Sequence, residues 1–187
     1  MSEAGAEILS IEAITRADLA VLLTQEIRVV ELANRRNPNL FGPPSPLQKT
    51  KDNKRNEQAA LINDITEHPA EQMIREIVRI GGMDIFPDKS FRPHELVHRM
   101  DFALAIQQVL ILVTGNRAID TAFVGSPSPF PDVKRSHYAF NAVSLTTERG
   151  ILAADAQTGE FGLNQTVSGV DALTALRRLQ AILNEAG

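Results

Sequence analysis

An internal repeat restricts the fold of this chain more than any other feature of its sequence. Anchor residues recur at equal separations in two stretches of about fifty residues each. The pairs separated by thirteen residues are His68–Gly81 and His137–Gly150, and the pairs separated by ten are Phe91–Asp101 and Phe161–Asp171. A repeat of this length cannot bury its apolar face alone, so the copies are expected to pack against one another.

A truncated third copy lies near the start of the chain. The segment ITRADLAVLL, residues 14–23, matches the second half of each longer unit, and Asp18 stands where Asp101 and Asp171 stand. The length of 187 residues suits one domain with a sizeable core. We divide that single domain into a partial unit one (residues 1–33), a linker (34–56), unit two (57–124) and unit three (125–187).

The repeated segments have the spacing of helices. Leucine, isoleucine and valine recur at intervals of three and four, which predicts a helix over residues 15–33. Thr15 followed by Asp18 resembles a capping box, in which the hydroxyl accepts from a backbone amide and the carboxylate reaches back. Ser168 and Asp171 repeat this pair before the last helix. The units are therefore predicted to be helix–loop–helix elements.

The region between units one and two has a different composition. Residues 34–56 contain four prolines, six basic residues and one acidic residue, and few apolar ones. Such a segment cannot bury a core, so we interpret it as a linker or surface excursion with helix resuming near Glu57. The next apolar helical pattern spans residues 70–80 and should end at Gly81 in a left-handed cap.

Several motifs within the units resemble those of S-layer homology repeats. They are FPDV, HYAFNAV, RGIL and TGEFGLNQTVS in unit three, FRP and VHRMDFA in unit two, and ITRAD in unit one. The resemblance covers most of the chain outside residues 34–60. It implies an all-α fold of helix–loop–helix repeats packed as a pseudo-threefold bundle. It also implies grooves between repeats that bind cell-wall polysaccharide, often pyruvylated, without catalysis.

The same resemblance points to the residues that would bind the glycan. The arginine of the family's groove falls on Arg16 in unit one and Arg99 in unit two, whereas unit three has Gly169 there. A planar guanidinium matches a pyruvyl carboxylate through two hydrogen bonds. Tyr138 stands at the family's groove tryptophan. The predicted glycan-binding set is Arg16, Arg99, Asp132, Tyr138 and Phe161.

Charge and composition exclude several other functions. A formal net charge of −4 with mixed signs argues against a nucleic-acid or anionic-membrane partner. The absence of cysteine excludes disulfides, thiolate metal sites and a cysteine nucleophile. No apolar run reaches the length of about eighteen residues that a membrane span needs, and no basic leader precedes the first unit. Because the chain starts within a repeat, we expect a piece of an exported cell-envelope protein without its signal peptide.

One motif favours an enzyme instead. His94-Glu95-Leu96-Val97-His98 spells H-E-x-x-H, in which two histidines one helical turn apart hold zinc and the glutamate acts as general base. A helix that started at Pro93 would place both imidazoles on one face. Repeat register argues against this reading, because the matching residues 164–168 lie in the loop before a capped helix. We therefore predict no catalytic residue, metal or cofactor.

These observations favour a non-catalytic cell-envelope module that attaches an exported protein to wall polysaccharide or a peptidoglycan-linked polymer. A protein–protein interaction domain on the same scaffold, with another envelope protein as partner, is the alternative. A zinc metallopeptidase through His94, Glu95 and His98 is the third reading.

Overall fold

The chain forms an all-α structure, as predicted. The computed structural model describes residues 1–36 and 46–185, and within them it contains eight α-helices, one short 3₁₀ helix and no β-strand. None of the helices in these ranges is long and apolar enough to cross a bilayer. The α-helices are α1 (Glu3–Ile8), α2 (Arg16–Gln25), α3 (Val29–Arg36), α4 (Pro46–Ala60), α5 (Glu71–Ile80), α6 (Arg99–Thr114), α7 (Phe140–Glu148) and α8 (Gly169–Glu185), and the 3₁₀ helix is Arg117–Thr121.

One continuous core joins all of these helices. Each α-helix contributes at least one buried apolar side chain to a single cluster. Examples in chain order are Ile8, Leu19, Val29, Ala59, Ile74, Phe102, Phe140 and Leu176. Burying apolar surface is the main favourable term in folding, so units that share one core stabilise one another.

A ring of backbone hydrogen bonds links the three units at equivalent positions. The amide of Val97 donates to the carbonyl of Ile14 (2.9 Å), that of Ile14 to Val167 (2.8 Å), and that of Val167 to Val97 (3.0 Å). The three residues are equivalent in the repeat. Each lies four positions before an aspartate in the first turn of a helix, which is Asp18 in α2, Asp101 in α6 and Asp171 in α8. The closed ring is the contact pattern that a threefold arrangement would require, and superposing the three units would test the rotation itself.

The predicted helix caps are present. The hydroxyl of Thr15 accepts from the Asp18 amide while the Asp18 carboxylate accepts from the Thr15 amide, which completes a capping box at α2. At α8, the Ser168 hydroxyl accepts from the Asp171 amide and donates to the Asp171 carboxylate. Gly81 ends α5 with a φ of 79°, in the left-handed region that glycine occupies without strain.

The predicted continuous helix over residues 15–33 is wrong. The chain divides there into α2 and α3, because Arg28 takes a left-handed φ of 53° that no helix accommodates. Arginine gives no sequence signal for that conformation, unlike glycine or asparagine. The break turns α3 towards α6, against which it packs.

The predicted helix start near Glu57 is also wrong, because α4 already begins at Pro46. Proline suits the first turn of a helix, and the following lysine, glutamine and arginine residues favour the helical state. A tertiary contact supports the helix, since Arg75 of α5 donates to the carbonyl of Ala59 at the end of α4. Residues 37–45 of the predicted linker lie outside the described part of the chain.

Candidate functional site

Arg16 fastens unit one to the loop of unit two. From the first turn of α2, its Nε donates to the carbonyl oxygen of Phe91 (2.8 Å) and its Nη2 to that of Asp84 (2.8 Å). The Cζ atom of the guanidinium lies 4.7 Å from the ring centre of Phe91 and 5.0 Å from that of Phe86. We call this arrangement an arginine clasp, because one planar group holds two backbone carbonyls and covers an aromatic ring.

Arg99 makes the same clasp one unit further along the chain. Its Nε donates to the carbonyl of Phe161 (2.8 Å) and its Nη2 to that of Ala153 (2.7 Å), and its Cζ lies 4.7 Å from the Phe161 ring centre. The structure therefore gives both predicted groove arginines the same partners, which are carbonyl oxygens and a phenylalanine of the next unit. Burial lowers the pKa of Arg99, and the charges of Asp171 and Asp132 oppose that shift.

Asp132 holds the loop that Arg99 contacts. Its two carboxylate oxygens accept from the amides of Phe161 (2.8 Å) and Gly162 (2.7 Å). In unit two, Asp64 does the same with two successive amides, the first being that of Phe91. The predicted glycan ligand Asp132 thus already carries two charge-assisted hydrogen bonds within the protein.

Stability should depend on the ionisation of Asp132. Burial raises the pKa of this carboxyl, but the hydrogen bonds from the Phe161 and Gly162 amides lower it more, so the net shift is downward. A lowered pKa in the folded state adds stability above the ordinary value of about 4, and that contribution disappears as the pH falls through the folded pKa. We expect Asp132→Asn to lose about 1–2 kcal/mol at pH 7 and less at pH 3.

Urea unfolding at both pH values measures this difference against wild type. Glu148→Gln is the control, because Glu148 is an exposed carboxylate of α7. An equal loss at pH 7 and pH 3 would show that the Asp132 charge contributes nothing to stability.

The third interface between units has no arginine clasp. Gly169 begins α8 at the position of Arg16 and Arg99, and its amide donates to the carbonyl of Ile11 (2.8 Å). A Cβ atom added to Gly169 would overlap the carbonyl oxygen of Ile8. Ile8 lies 83 residues before Phe91, which is the same offset that separates Asp18 from Asp101. Its carbonyl therefore stands where the other two interfaces have the carbonyl of a phenylalanine.

The two predicted aromatic residues have different surroundings. Tyr138 is 69 % exposed, stacks on His137 with ring centres 4.7 Å apart, and donates from its hydroxyl to the sulfur of Met100 (3.0 Å). Phe161 is only 1 % exposed and packs edge-on against Phe130 at 6.0 Å. The exposed ring of Tyr138 is accessible to a ligand, whereas the buried ring of Phe161 packs against the guanidinium of Arg99.

An open groove lies between unit one and unit two, where the Arg16 clasp forms part of the wall. It encloses about 260 Å³. Side chains of α2, of α6 and of the loop after α5 line it, among them Arg16, Met83, Asp84, Asp101, Leu104 and Gln108. We call it the first groove. A larger hollow of about 630 Å³ between α4 and α5 contains none of the predicted site residues.

The H-E-x-x-H segment does not form a helix. Residues 94–98 run through a turn into an extended stretch, in which Leu96 pairs with Thr15 and His98 pairs with Thr166. Helix α6 begins only at Arg99. The segment therefore lacks the helical turn that places the two imidazoles of this motif on one face. Within the described ranges, no three His, Cys, Asp or Glu side chains lie close enough together to hold a metal ion.

We accordingly expect the purified protein to hold no stoichiometric zinc. His94 and His98 lie in irregular backbone, and their imidazoles contact different partners, which are the His68 ring and the Asp101 carboxylate. The backbone therefore does not set them one helical turn apart on one face, as the zinc motif requires. Elemental analysis after dialysis against buffer with and without zinc measures the content. One zinc per chain that disappears in a His94→Ala variant would contradict this expectation and support the peptidase reading.

Sequence reasoning missed two groups at this site. The first comprises Ile8 and Asp64, which are the partners of the interfaces described above. The second is a buried network in which Asn141 donates to Gln107 (2.6 Å) and to the carbonyl of Ile119 (2.8 Å), while Gln107 donates to Asp120 (3.0 Å). The repeat offsets were a usable signal for Ile8, but no local pattern marks the network.

Comparison with known proteins yields one match of low similarity. The chain is 28 % identical over 83 residues to Cell surface glycoprotein 1 of Acetivibrio thermocellus. The matched part is 44 % of this chain and 3 % of that protein, so the chain spans a small fraction of its relative's length. No family model and no solved structure matches the chain.

Proposed function

We propose that this chain is a non-catalytic module of the cell envelope that attaches a larger exported protein to wall polysaccharide. The first groove carries the proposal. It is an open cleft between two units, it combines charged, amide and apolar side chains, and its wall includes Arg16. Sugars offer both hydroxyls and apolar ring faces, and such a mixed lining complements them.

Two further observations support the proposal. The arginine clasps hold neighbouring units at fixed separation, so that the groove between them is preformed and ordering it on binding costs little. The matched relative is by its name a glycoprotein of the cell surface, which is compatible with a surface-associated role for this chain.

Retention on purified cell-wall sacculi tests the proposal directly. The protein is expected to sediment with sacculi that keep their secondary polymer and to remain in the supernatant when the polymer has been extracted. Equal sedimentation with both preparations would contradict binding to that polymer, and absence from both pellets would contradict attachment to the wall.

Replacing Arg16 with lysine should weaken this binding although the net charge is unchanged. Lysine cannot hold the carbonyls of Phe91 and Asp84 at once in a planar fork, so one wall of the first groove loses its support. These hydrogen bonds lie within the protein, so the roughly 1.5–3 kcal/mol that a charge-assisted hydrogen bond contributes is lost from folding stability. The affinity falls only to the extent that the polymer needs the groove wall in place. Titration of solubilised wall polymer by calorimetry measures the loss.

Two controls separate this effect from general destabilisation. Arg135→Lys changes an exposed arginine outside the groove and should bind like wild type. Arg99→Lys breaks the other clasp, and comparing it with Arg16→Lys shows whether binding depends on the interface between units one and two or on that between units two and three. If all three variants and wild type bound equally, the groove hypothesis would be wrong.

A protein–protein interaction domain is the second candidate, for which three exposed apolar side chains are available as contacts. Leu96, Tyr138 and Val170 are 43 %, 69 % and 54 % exposed. Singly exposed apolar residues are common, whereas a contiguous patch often marks a protein contact. If this candidate is right, sacculi that have been treated with protease will lose the ability to retain the chain, and polymer extraction will have no effect.

A further inference from the structure

The first groove contains more negative than positive charge. The carboxylates of Asp84 and Asp101 line it together with the amide of Gln108, and Arg16 is the single cation among its lining residues. The Asp84 side chain is exposed. The Nδ1 atom of His98, the residue just before α6, lies 3.5 Å from the Asp101 carboxylate. Both carboxylates therefore have oxygen lone pairs available to a ligand.

The guanidinium of Arg16 is already engaged by the protein. Its Nε and Nη2 donate to backbone carbonyls, and phenylalanine rings lie beside its plane. Burial lowers the pKa of Arg16, the charges of Glu95, Asp101 and Asp84 oppose that shift, and the charge of Arg92 adds to it. A ligand carboxylate would have to compete with these partners and would approach Asp84 and Asp101 as a like charge.

We propose that the first groove selects a saccharide that carries a free amine over one that carries a carboxylate. This inference rests on the proposed function, because it concerns the ligand of the same groove. An ammonium group on the sugar donates charge-assisted hydrogen bonds to Asp84 and Asp101, and the ring hydroxyls reach Gln108.

The second interface provides an internal comparison. Arg16 contacts the carbonyl of Asp84, whereas Arg99 makes the equivalent contact with Ala153. The counterpart of Gln108 at the repeat offset of seventy residues is Arg178, which donates to the carbonyls of the loop before Ala153. One acidic side chain and one neutral amide of the first groove are thus replaced by alanine and arginine. The selectivity for an amine should belong to the first groove alone.

Calorimetric titration with three tetrasaccharides tests the inference. The probes are β-1,4-linked glucosamine, its N-acetylated form and α-1,4-linked galacturonate, all at the same ionic strength. The glucosamine tetramer is expected to bind at least about tenfold more tightly than the N-acetylated tetramer, and galacturonate most weakly. Asp84→Ala, which copies the second interface, and Asp101→Asn should each reduce the preference for glucosamine about fivefold or more.

The controls distinguish a specific groove from attraction of a cation to an acidic protein. Glu148→Gln removes one exposed negative charge outside the groove and should leave the preference unchanged. Circular dichroism of Asp84→Ala verifies folding, since the substituted side chain is exposed. A preference that survives in Asp84→Ala and Asp101→Asn would overturn the inference.

The remaining outcomes separate this inference from the proposed function. If the N-acetylated or the galacturonate tetramer binds as tightly as glucosamine or more so, the amine preference is wrong but binding of glycan stands. If no tetramer binds while polymer-bearing sacculi retain the protein, the inference is overturned and wall attachment stands. If neither the tetramers nor the sacculi bind, both fail.

Discussion

Phe161→Ala is expected to lower the free energy of unfolding by about 3–5 kcal/mol. The ring is 1 % exposed, contacts Phe130, and supports the guanidinium of Arg99 at 4.7 Å. Removing it leaves a cavity and takes one side of the clasp away, so core packing and the contact between units are lost together. Urea unfolding followed by circular dichroism measures the change.

The repeat supplies a second variant and an exposed control for this prediction. Phe91 is 0 % exposed and lies under Arg16 at the same 4.7 Å, so Phe91→Ala should cost a similar amount. Tyr138→Ala removes an aromatic ring that is 69 % exposed and should cost less than about 1 kcal/mol. A small loss for Phe161→Ala beside a large one for Phe91→Ala would contradict the equivalence of the two interfaces.

Gly169→Ala is expected to lower the free energy of unfolding by about 2–3 kcal/mol. Glycine to alanine within a helix normally adds up to about 1 kcal/mol of stability, because alanine has the higher helix propensity. At Gly169 the added methyl group would overlap the carbonyl oxygen of Ile8, which is main chain and cannot rotate away. The sign of the usual effect should therefore be reversed.

Val170→Ala is the matched control, because it lies in the same turn of α8 with its side chain 54 % exposed. We expect it to change the free energy of unfolding by no more than about 0.5 kcal/mol. If Gly169→Ala stabilised the protein, the N-terminal segment would not occupy the position that the structure gives it. The comparison therefore tests the close contact between Ile8 of unit one and Gly169 of unit three.

Much of the fold followed from local sequence patterns. The Thr15–Asp18 capping box, the Ser168 cap and the left-handed Gly81 were predicted correctly, because each depends on residues within one or two turns of a helix. The repeat offsets also placed residues 94–98 outside a helix, against the local H-E-x-x-H signal.

Features that depend on distant contacts were not predicted. Arg28 breaks a regular apolar pattern in a conformation without a sequence signature, and α4 begins in a charged segment that α5 supports. Asp64 escaped detection because it precedes His68 by four residues, whereas Asp132 precedes His137 by five. The extra residue of unit three lies in the loop between the aspartate and the histidine. Both carboxylates nevertheless accept from equivalent pairs of successive amides, one pair in each unit.

The contacts of the predicted site residues could not be derived from the sequence. In the structure, Arg16 and Arg99 each contact a loop of the next repeat along the chain. Their bonds to carbonyls 75 and 62 residues away could not be derived from local spacing, because only the folded chain brings these groups together. The roles of Arg16, Arg99, Asp132, Tyr138 and Phe161 in glycan binding stay predictions.

Amide chemical shifts during a titration with oligosaccharides released from the wall polymer test the central claim most directly. If the first groove binds the glycan, the largest changes will occur at the amides of Met83, Asp84, Asp101 and Gln108, and they will saturate with one affinity. An absence of change throughout the spectrum would contradict glycan binding. Changes confined to the amides around Leu96, Tyr138 and Val170 would place the binding surface outside the groove.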